Sequence, residues 1–526
     1  MSYDLPSTSP HTGSLYRVSN DSRMRDFRGD LASFTTENIA ALLSPAAQDA
    51  LELGLIEPAK LELRSLTRGA PARLAALVRL FMLGDVVPWQ QVADALPRTG
   101  VNFLLESGLA VSPSEDSVQS RFDLRPISVD LDGHKREYWI TSDLGEEITG
   151  KPLLPDHVLG VGGATLSLLR LTPRKQVGLA VDLGCGCGIQ AIVAARHAKN
   201  VIATDISARA LDLTAFNAAL NSVFIELRLG SMLEPLKGEK IDLLVSNPPF
   251  VINPAAGIED EEKIMQYRDG GMADDDIVSG LVKGLPSVLA PGGMAVMLGN
   301  WLLSDAPWED RPASWVDPKL DAIVLQRETF SPAQYANLWL RDGGINPRQN
   351  PGRFNVRLTE YLMYFEAKSS PGVGFGYLAF QKPAVEISPD DTWQQFEKLP
   401  DGRPPSGQDV ENFFAAANYC RGQETPLALS DEKFEVQPDV TEERFYRPGE
   451  EDPAVIQLRS GRTGQTMPVG QYFAAFYGAC DGELTAAQIT VALSELLGAD
   501  VPALAAELEL PIRIALGSGY LKVPQT

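Results

Sequence analysis

The sequence predicts an α/β protein built on a doubly wound, largely parallel sheet, with smaller helical modules on either side. Three observations carry that expectation. A strand, glycine turn and helix begin at Val177, further apolar strand-like runs follow at intervals, and both flanks change to Ala/Leu-rich helical spacing. A chain of 526 residues suits about three domains, and the changes of texture place them at 1–150, 151–384 and 385–526.

Lys+Arg 46 against Asp+Glu 69 leaves a formal net charge of −23, and such a surface repels a polyanion unless positive charge is locally concentrated. Non-specific DNA binding is disfavoured. The acidity is uneven, with net charges of −7 over 1–150, −4 over 151–380 and −12 over 381–526, as separate modules with separate surfaces would give. The polar start, Met1 to Ser14, lacks the apolar core of a signal peptide, and no apolar stretch is long enough to span a bilayer, so a cytoplasmic location is expected. Four cysteines and four scattered histidines supply neither a disulfide framework nor a metal-ligand cluster, so no metal site is expected.

In the first module, helical spacing from Thr36 to about Leu105 is followed by an alternating pair, Ile127–Leu131 and Arg136–Ile140, around Asp132-Gly133. Helices followed by a hairpin read as a winged-helix-like unit. In the last module, a Pro/Gly/Asp-rich linker, Ser388 to Gln408, precedes helices at Thr485–Leu497 and Val501–Leu516 and a terminal turn and strand, Gly517 to Val523. That ending also reads as winged-helix-like, suited to packing or to an oligomer contact.

The middle module carries the chemistry. Gly178–Val181 ends in Asp182, and Leu183-Gly184-Cys185-Gly186-Cys187-Gly188 then leads into a helix, Ile189–Ala198. Glycines let the turn bend tightly and let a ligand approach main-chain N–H groups. A second strand, Asn200–Thr204, delivers Asp205, placed where a carboxylate can accept from two ribose hydroxyls, with Ile206 beside it. The spacing Gly184-x-Gly186-x-x-Ile189 breaks the dinucleotide fingerprint, which disfavours nicotinamide cofactors. The segment Leu159 to Thr165, with Gly160, Gly162 and Gly163, stands just before the first strand, placed either to close over a ligand or to serve as a bare turn.

Val181 to Gly188, with Asp205 downstream, resembles the binding motif of class I S-adenosylmethionine-dependent methyltransferases. The resemblance implies a Rossmann-like methyltransferase sheet over roughly Pro155 to Pro383, with S-adenosylmethionine as cofactor. It further implies that Asp182 and the turn residues Gly184, Cys185, Gly186 and Gly188 hold the methionine end, and that Asp205 holds the ribose. A third strand, Phe224–Leu229, leads to Ser231-Met232, where the family often has an acidic residue or its amide beside the adenine; Ser231 departs from that pattern.

The fourth strand, Lys240–Ser246, delivers Asn247-Pro248-Pro249-Phe250, which resembles the Asn-Pro-Pro-aromatic motif of enzymes that methylate planar nitrogens: exocyclic amines of nucleobases and the glutamine amide of release factors. The physical requirement is clear. Such a nitrogen has a delocalised lone pair and donor hydrogens that acceptors must hold, a role for the Asn247 side chain and the Pro248 carbonyl, while Phe250 is expected to stack on the substrate plane.

Expected strands at Met294–Leu298, after a Pro291-Gly292-Gly293 turn, and at Asp321–Gln326 and Gly374–Gln381 complete the sheet, with helices near Pro332–Leu340 and Val356–Phe365 inserted between the last two. The reading is therefore an N-methyltransferase of a macromolecule, either a protein glutamine or a nucleobase of RNA or DNA. Methylation of a small metabolite or natural-product peptide, and a non-catalytic scaffold, remain alternatives. A homo-oligomer through the terminal modules is compatible. Acidic runs at Glu259–Glu262 and Asp274–Asp276 favour a protein or small molecule over nucleic acid, whereas Arg341, Arg348, Arg353 and Arg357 favour RNA.

Overall fold

The computed structural model describes residues 22–131, 133–151, 153–254, 274–400 and 404–522. The acidic run at 259–262 lies outside them. At the centre is an eight-stranded sheet: β1 (Val177–Leu183), β2 (Ala198–Asp205), β3 (Glu226–Leu229), β4 (Ile241–Ser246), β5 (Leu289–Leu302), β6 (Asp321–Phe330), β7 (Val373–Gln381) and β8 (Gln394–Lys398). Their order is β8-β6-β7-β5-β4-β1-β2-β3, and only β7 runs antiparallel to its neighbours. The chain winds from β1 outward to β3 and then crosses to β4 on the other side. The carboxyl ends of β1 and β4 therefore flank the topological switch point, where open α/β sheets bind ligands.

Successive side chains of these strands enter different cores, as the two-residue pleat requires. Ala180, Leu243, Val245 and Val296 join a core shared with the N-terminal helices, whereas Val181, Leu244, Ala295 and Met297 pack with the opposite layer. The helices that matter for the site are α1 (Gly163–Leu171), α2 (Ile189–Ala194), α3 (Ala208–Leu220), α4 (Asp276–Val288), α5 (Pro332–Asp342) and α6 (Pro351–Ala367). α3 starts where the Ser207 hydroxyl accepts the Ala210 N–H. α5 starts at a reciprocal capping pair, Ser331 with Gln334, with Pro332 in its first turn.

Several elements differ from expectation. The third strand begins at Glu226, and Phe224 is 88% exposed. Pro291-Gly292-Gly293 is an irregularity inside β5, where the register with β4 jumps between Leu289 and Met294. The region from Ser388 to Gln408 is more than a linker, because β8 within it pairs with β6 and extends the sheet beyond residue 384.

The expected N-terminal hairpin exists as Phe122–Leu131 paired with His134–Asp143, yet it stands apart from the small three-stranded sheet. That sheet is made by Val87–Pro88, Ala110–Ser114 and Ser117–Ser120, with two short helices between its first two strands. The long hairpin instead docks on α3. Asn217 and Asn221 each accept a main-chain N–H from Thr141 and Trp139 and return an N–H to the same residues' carbonyls, at 2.8–3.1 Å.

At the other end, the helix Gly407–Arg421 clamps the sheet. Its Arg421 reaches both oxygens of the fully buried Asp321 at 2.6 and 2.7 Å. The C-terminal helices Ala486–Leu497 and Val501–Gly517 lie close to expectation, but the terminal strand is a single bridge between Leu521 and Val436. No helix among the described residues is long and apolar enough to cross a membrane.

Candidate active site

A cavity of about 500 Å³ opens at the carboxyl ends of β1, β2 and β4. Strand pairing fixes its two sides against one another: Leu183 stands opposite Ser246, and the Ser246 hydroxyl donates to the Leu183 carbonyl at 2.9 Å. The glycine turn and the Asn-Pro-Pro segment are thus neighbours although about sixty positions separate them in the chain.

On one side, Gly184 and Gly186 adopt φ of +73° and +53°, and a Cβ at either would meet nothing within 4 Å. The turn consequently leaves a main-chain cradle open to a ligand. Gly188 also has positive φ, +81°, but serves packing: a Cβ there would lie 2.6 Å from Thr214 of α3. It caps α2 and does not line the cavity.

The Asp182 carboxylate accepts the Ala191 N–H at 2.9 Å, and burial pushes its pKa up to about 7. Asp205 accepts the N–H groups of Gly186 and Ser207 at 3.0 and 2.8 Å. Burial raises its pKa, and those N–H groups counter the shift. The Cys185 and Cys187 thiols are driven upward by burial, Cys187 to about 11. They are neutral packing groups at physiological pH, unsuited to act as thiolate nucleophiles. Ile206 is 66% exposed and, with Ser231 and Met232, gives this side an apolar floor with a hydroxyl.

On the other side, Asn247, Pro248 and Pro249 line the cavity. The Asn247 Oδ1 atom is buried with no hydrogen-bond partner among the described residues. An unmet buried acceptor costs about 1–3 kcal/mol; Asn247 lines the cavity as a residue, while its Oδ1 is withdrawn from the open space.

Phe250 departs from its expected role. Its ring sits edge-on to Phe375 and Trp339, with centroids 5.9 and 6.5 Å away, and it does not line the cavity. The ring is taken up by an aromatic core under α5 and α6.

Thirteen positions were expected at the site, and all but Gly188 and Phe250 line the cavity. The structure adds others. Gly160, Gly162, Gly163 and Thr165, in the glycine-rich segment before β1, form its lip, and Gln190 of α2 ties that lip down by donating to the Thr165 carbonyl at 3.0 Å. His157 lines the cavity with Nδ1 3.7 Å from Asp143, and burial lowers its pKa. Asp143 in turn pairs with Arg209 and accepts the Val158 N–H at 2.8 Å. Ile277 and Leu281 of α4 close the floor. None of these belongs to the motif, and only the glycines before β1 carried a signal in the sequence.

Residues 160–266 match the methyltransferase small domain. Residues 31–121 match a domain of unknown function, DUF7059. The chain is similar to the ribosomal RNA small subunit methyltransferase C of Alcanivorax borkumensis, 29% identical over 26% of this chain and 37% of that protein. It is 35% identical to the release factor glutamine methyltransferase of Xylella fastidiosa over 23% of this chain and 46% of the relative. With the ribosomal protein uL3 glutamine methyltransferase of Bradyrhizobium diazoefficiens the identity is 32% over 31% and 54%. The chain thus spans about half or less of the length of these relatives. The methyltransferase fold expected from the glycine turn is the one that the strand order displays.

Proposed function

We propose that this chain is an S-adenosylmethionine-dependent N-methyltransferase acting on a planar amide or exocyclic amine nitrogen of a macromolecule. The observation that carries this reading is one cavity lined on one side by the glycine turn and on the other by Asn247, Pro248 and Pro249.

The cofactor supplies an electrophilic methyl carbon on a sulfonium sulfur. Asp205 accepts from the ribose hydroxyls, Ile206 and Met232 cover the base, and Asp182 with the open main chain of Gly184 and Gly186 receives the charged methionine end. Asn247 Oδ1 and the Pro248 carbonyl accept the two N–H groups of the incoming nitrogen, which turns its lone pair toward the methyl carbon. With the cofactor bound, the oriented nitrogen would take the methyl carbon as the neutral thioether leaves, and one nitrogen proton would pass to water. Charge is lost from sulfur in this step, so fixed dipoles and alignment supply the acceleration. Phe250 supports the loop from behind and does not stack on the acceptor, so Pro249 is the apolar surface that the acceptor plane meets.

The relatives named above act, by their names, on ribosomal RNA, a release factor and a ribosomal protein, which supports a macromolecular acceptor here. The test has two parts. S-adenosylhomocysteine is titrated calorimetrically into the wild type, where saturable binding is expected and its absence would overturn the reading. Cell extract is then incubated with enzyme and methyl-labelled cofactor and treated separately with nuclease and protease. Label lost to one of the two supports a macromolecular acceptor; low-mass label surviving both assigns a metabolite instead.

A further inference from the structure

We infer that the inserted helical hairpin α5–α6 is the positioning element of the acceptor loop, with the Tyr335 hydroxyl as its latch. This rests on the reading of Asn247 given above. After β4 the chain runs from Asn247 through Asn253 without helix or strand, so beyond the strand end and the two prolines no main-chain ladder holds this loop.

The hairpin supplies that restraint at three positions. The buried Ile252 N–H donates to the Tyr335 hydroxyl at 2.8 Å, and Asn300 Nδ2 of β5 donates to the same oxygen at 3.2 Å. Phe250 lies edge-on to the Trp339 ring with centroids 6.5 Å apart. Arg357 Nη2 donates to Asn253 Oδ1 at 3.3 Å. Tyr335 and Trp339 belong to α5 and Arg357 to α6, and none of the three lines the cavity.

A hairpin that served only to bury apolar area would need rings alone. A hydroxyl inside an aromatic core costs desolvation unless it is hydrogen-bonded, and here it accepts from a main-chain N–H of the acceptor loop and from Asn300 Nδ2. Without it, Ile252 N–H and Asn300 Nδ2 both lose an acceptor, and the loop relaxes. A misplacement of about 1 Å in a reacting group costs on the order of a hundredfold in rate. Tyr335 is therefore a positioning residue, acting on turnover through Asn247 while leaving the cofactor side untouched.

The test uses the full chain carrying Tyr335→Phe, which keeps the ring. Three quantities are compared with wild type: amide hydrogen exchange at residues 250–253, affinity for S-adenosylhomocysteine, and the rate of tritium transfer from S-adenosylmethionine into cell extract at saturating cofactor. Exchange about tenfold faster, a rate lower by about tenfold and an affinity within about twofold are expected. Arg357→Gln, at a partly exposed position, is expected to show the same pattern more weakly, which keeps the proposal testable should the first variant fold poorly.

Unchanged exchange and rate would overturn the latch, and so would a loss of cofactor affinity matching the loss of rate, since that would make the hydroxyl a support of the whole fold. If the wild type itself bound no S-adenosylhomocysteine, the proposed function would fall, while the exchange measurement would still decide whether Tyr335 holds the loop.

Discussion

The two walls of the cavity are built on opposite plans. The glycine-turn wall, which the proposed function makes the cofactor wall, is local: strand, turn and helix follow one another from Val177 to Ala194, and Asp205 stands at the end of the next strand. Its polar groups are already satisfied by one another, as Asp182 takes the Ala191 N–H and Asp205 those of Gly186 and Ser207. The opposite wall, proposed to receive the acceptor, is a short irregular loop whose Asn247 Oδ1 has no hydrogen-bond partner among the described residues, and it is held from outside by residues about eighty to a hundred positions away. A preformed wall binds; a wall completed only by substrate selects for what completes it.

Four experiments would break or sharpen that contrast. The largest effect is expected for Asn247→Ala, which removes the acceptor-side group. Transfer should fall by about a thousandfold while affinity for S-adenosylhomocysteine stays within about twofold. A wild-type rate would end the role assigned to Asn247.

Second is Asn217→Leu, which strips three hydrogen bonds of 2.8 Å to Thr141 and Cys187 from a fully buried site. A stability loss of about 3 kcal/mol is expected by denaturant unfolding, with weaker cofactor binding because Cys187 belongs to the glycine turn. Equal stability would show that the cofactor wall needs no outside support.

Third, Asp205→Ala should weaken S-adenosylhomocysteine binding by about thirtyfold, and a rate recovered at saturating cofactor would confine the effect to that wall.

The smallest effect concerns pH. Burial raises the Asp182 pKa from 3.8 to about 7, so its contribution to stability is full below the ordinary carboxylate range and is lost as pH rises through about 7. Between about pH 5.5 and 8 the unliganded wild type should lose a few degrees of melting temperature relative to Asp182→Asn, which cannot ionise. Cationic S-adenosylmethionine should bind more tightly over the same rise. Parallel melting curves for the two proteins would show that the carboxyl is not held protonated.

The contrast also explains what was legible in the sequence. The cofactor wall could be read because turn, capping glycine and carboxylate occur within one stretch of chain, each demanded by local geometry. The place of Asn247 on the cavity could be read because strand β4 ends immediately before it. Phe250 was misassigned because whether a ring faces a cavity or a core depends on Trp339 and Phe375, which no spacing links to it. β8 was missed for a related reason. Its residues Gln394–Lys398 carry little apolar character, and they become a strand because β6 offers an open edge to pair with. The N-terminal hairpin was found but read with the preceding helices as one winged-helix-like unit, and its docking on α3 was not foreseen, since the two asparagines that recruit it look like ordinary polar positions on a helix.

Those asparagines have a practical consequence. By offering one acceptor and one donor each to Thr141 and Trp139, Asn217 and Asn221 imitate the edge of a neighbouring strand from a helical backbone. A shortened protein starting near residue 151 would uncover both carboxamides and the apolar side of α3 around Leu213, Phe216 and Leu220, so the smallest transplantable unit has its upstream border before Phe122. Anyone grafting this core onto another scaffold must carry the hairpin along as cargo.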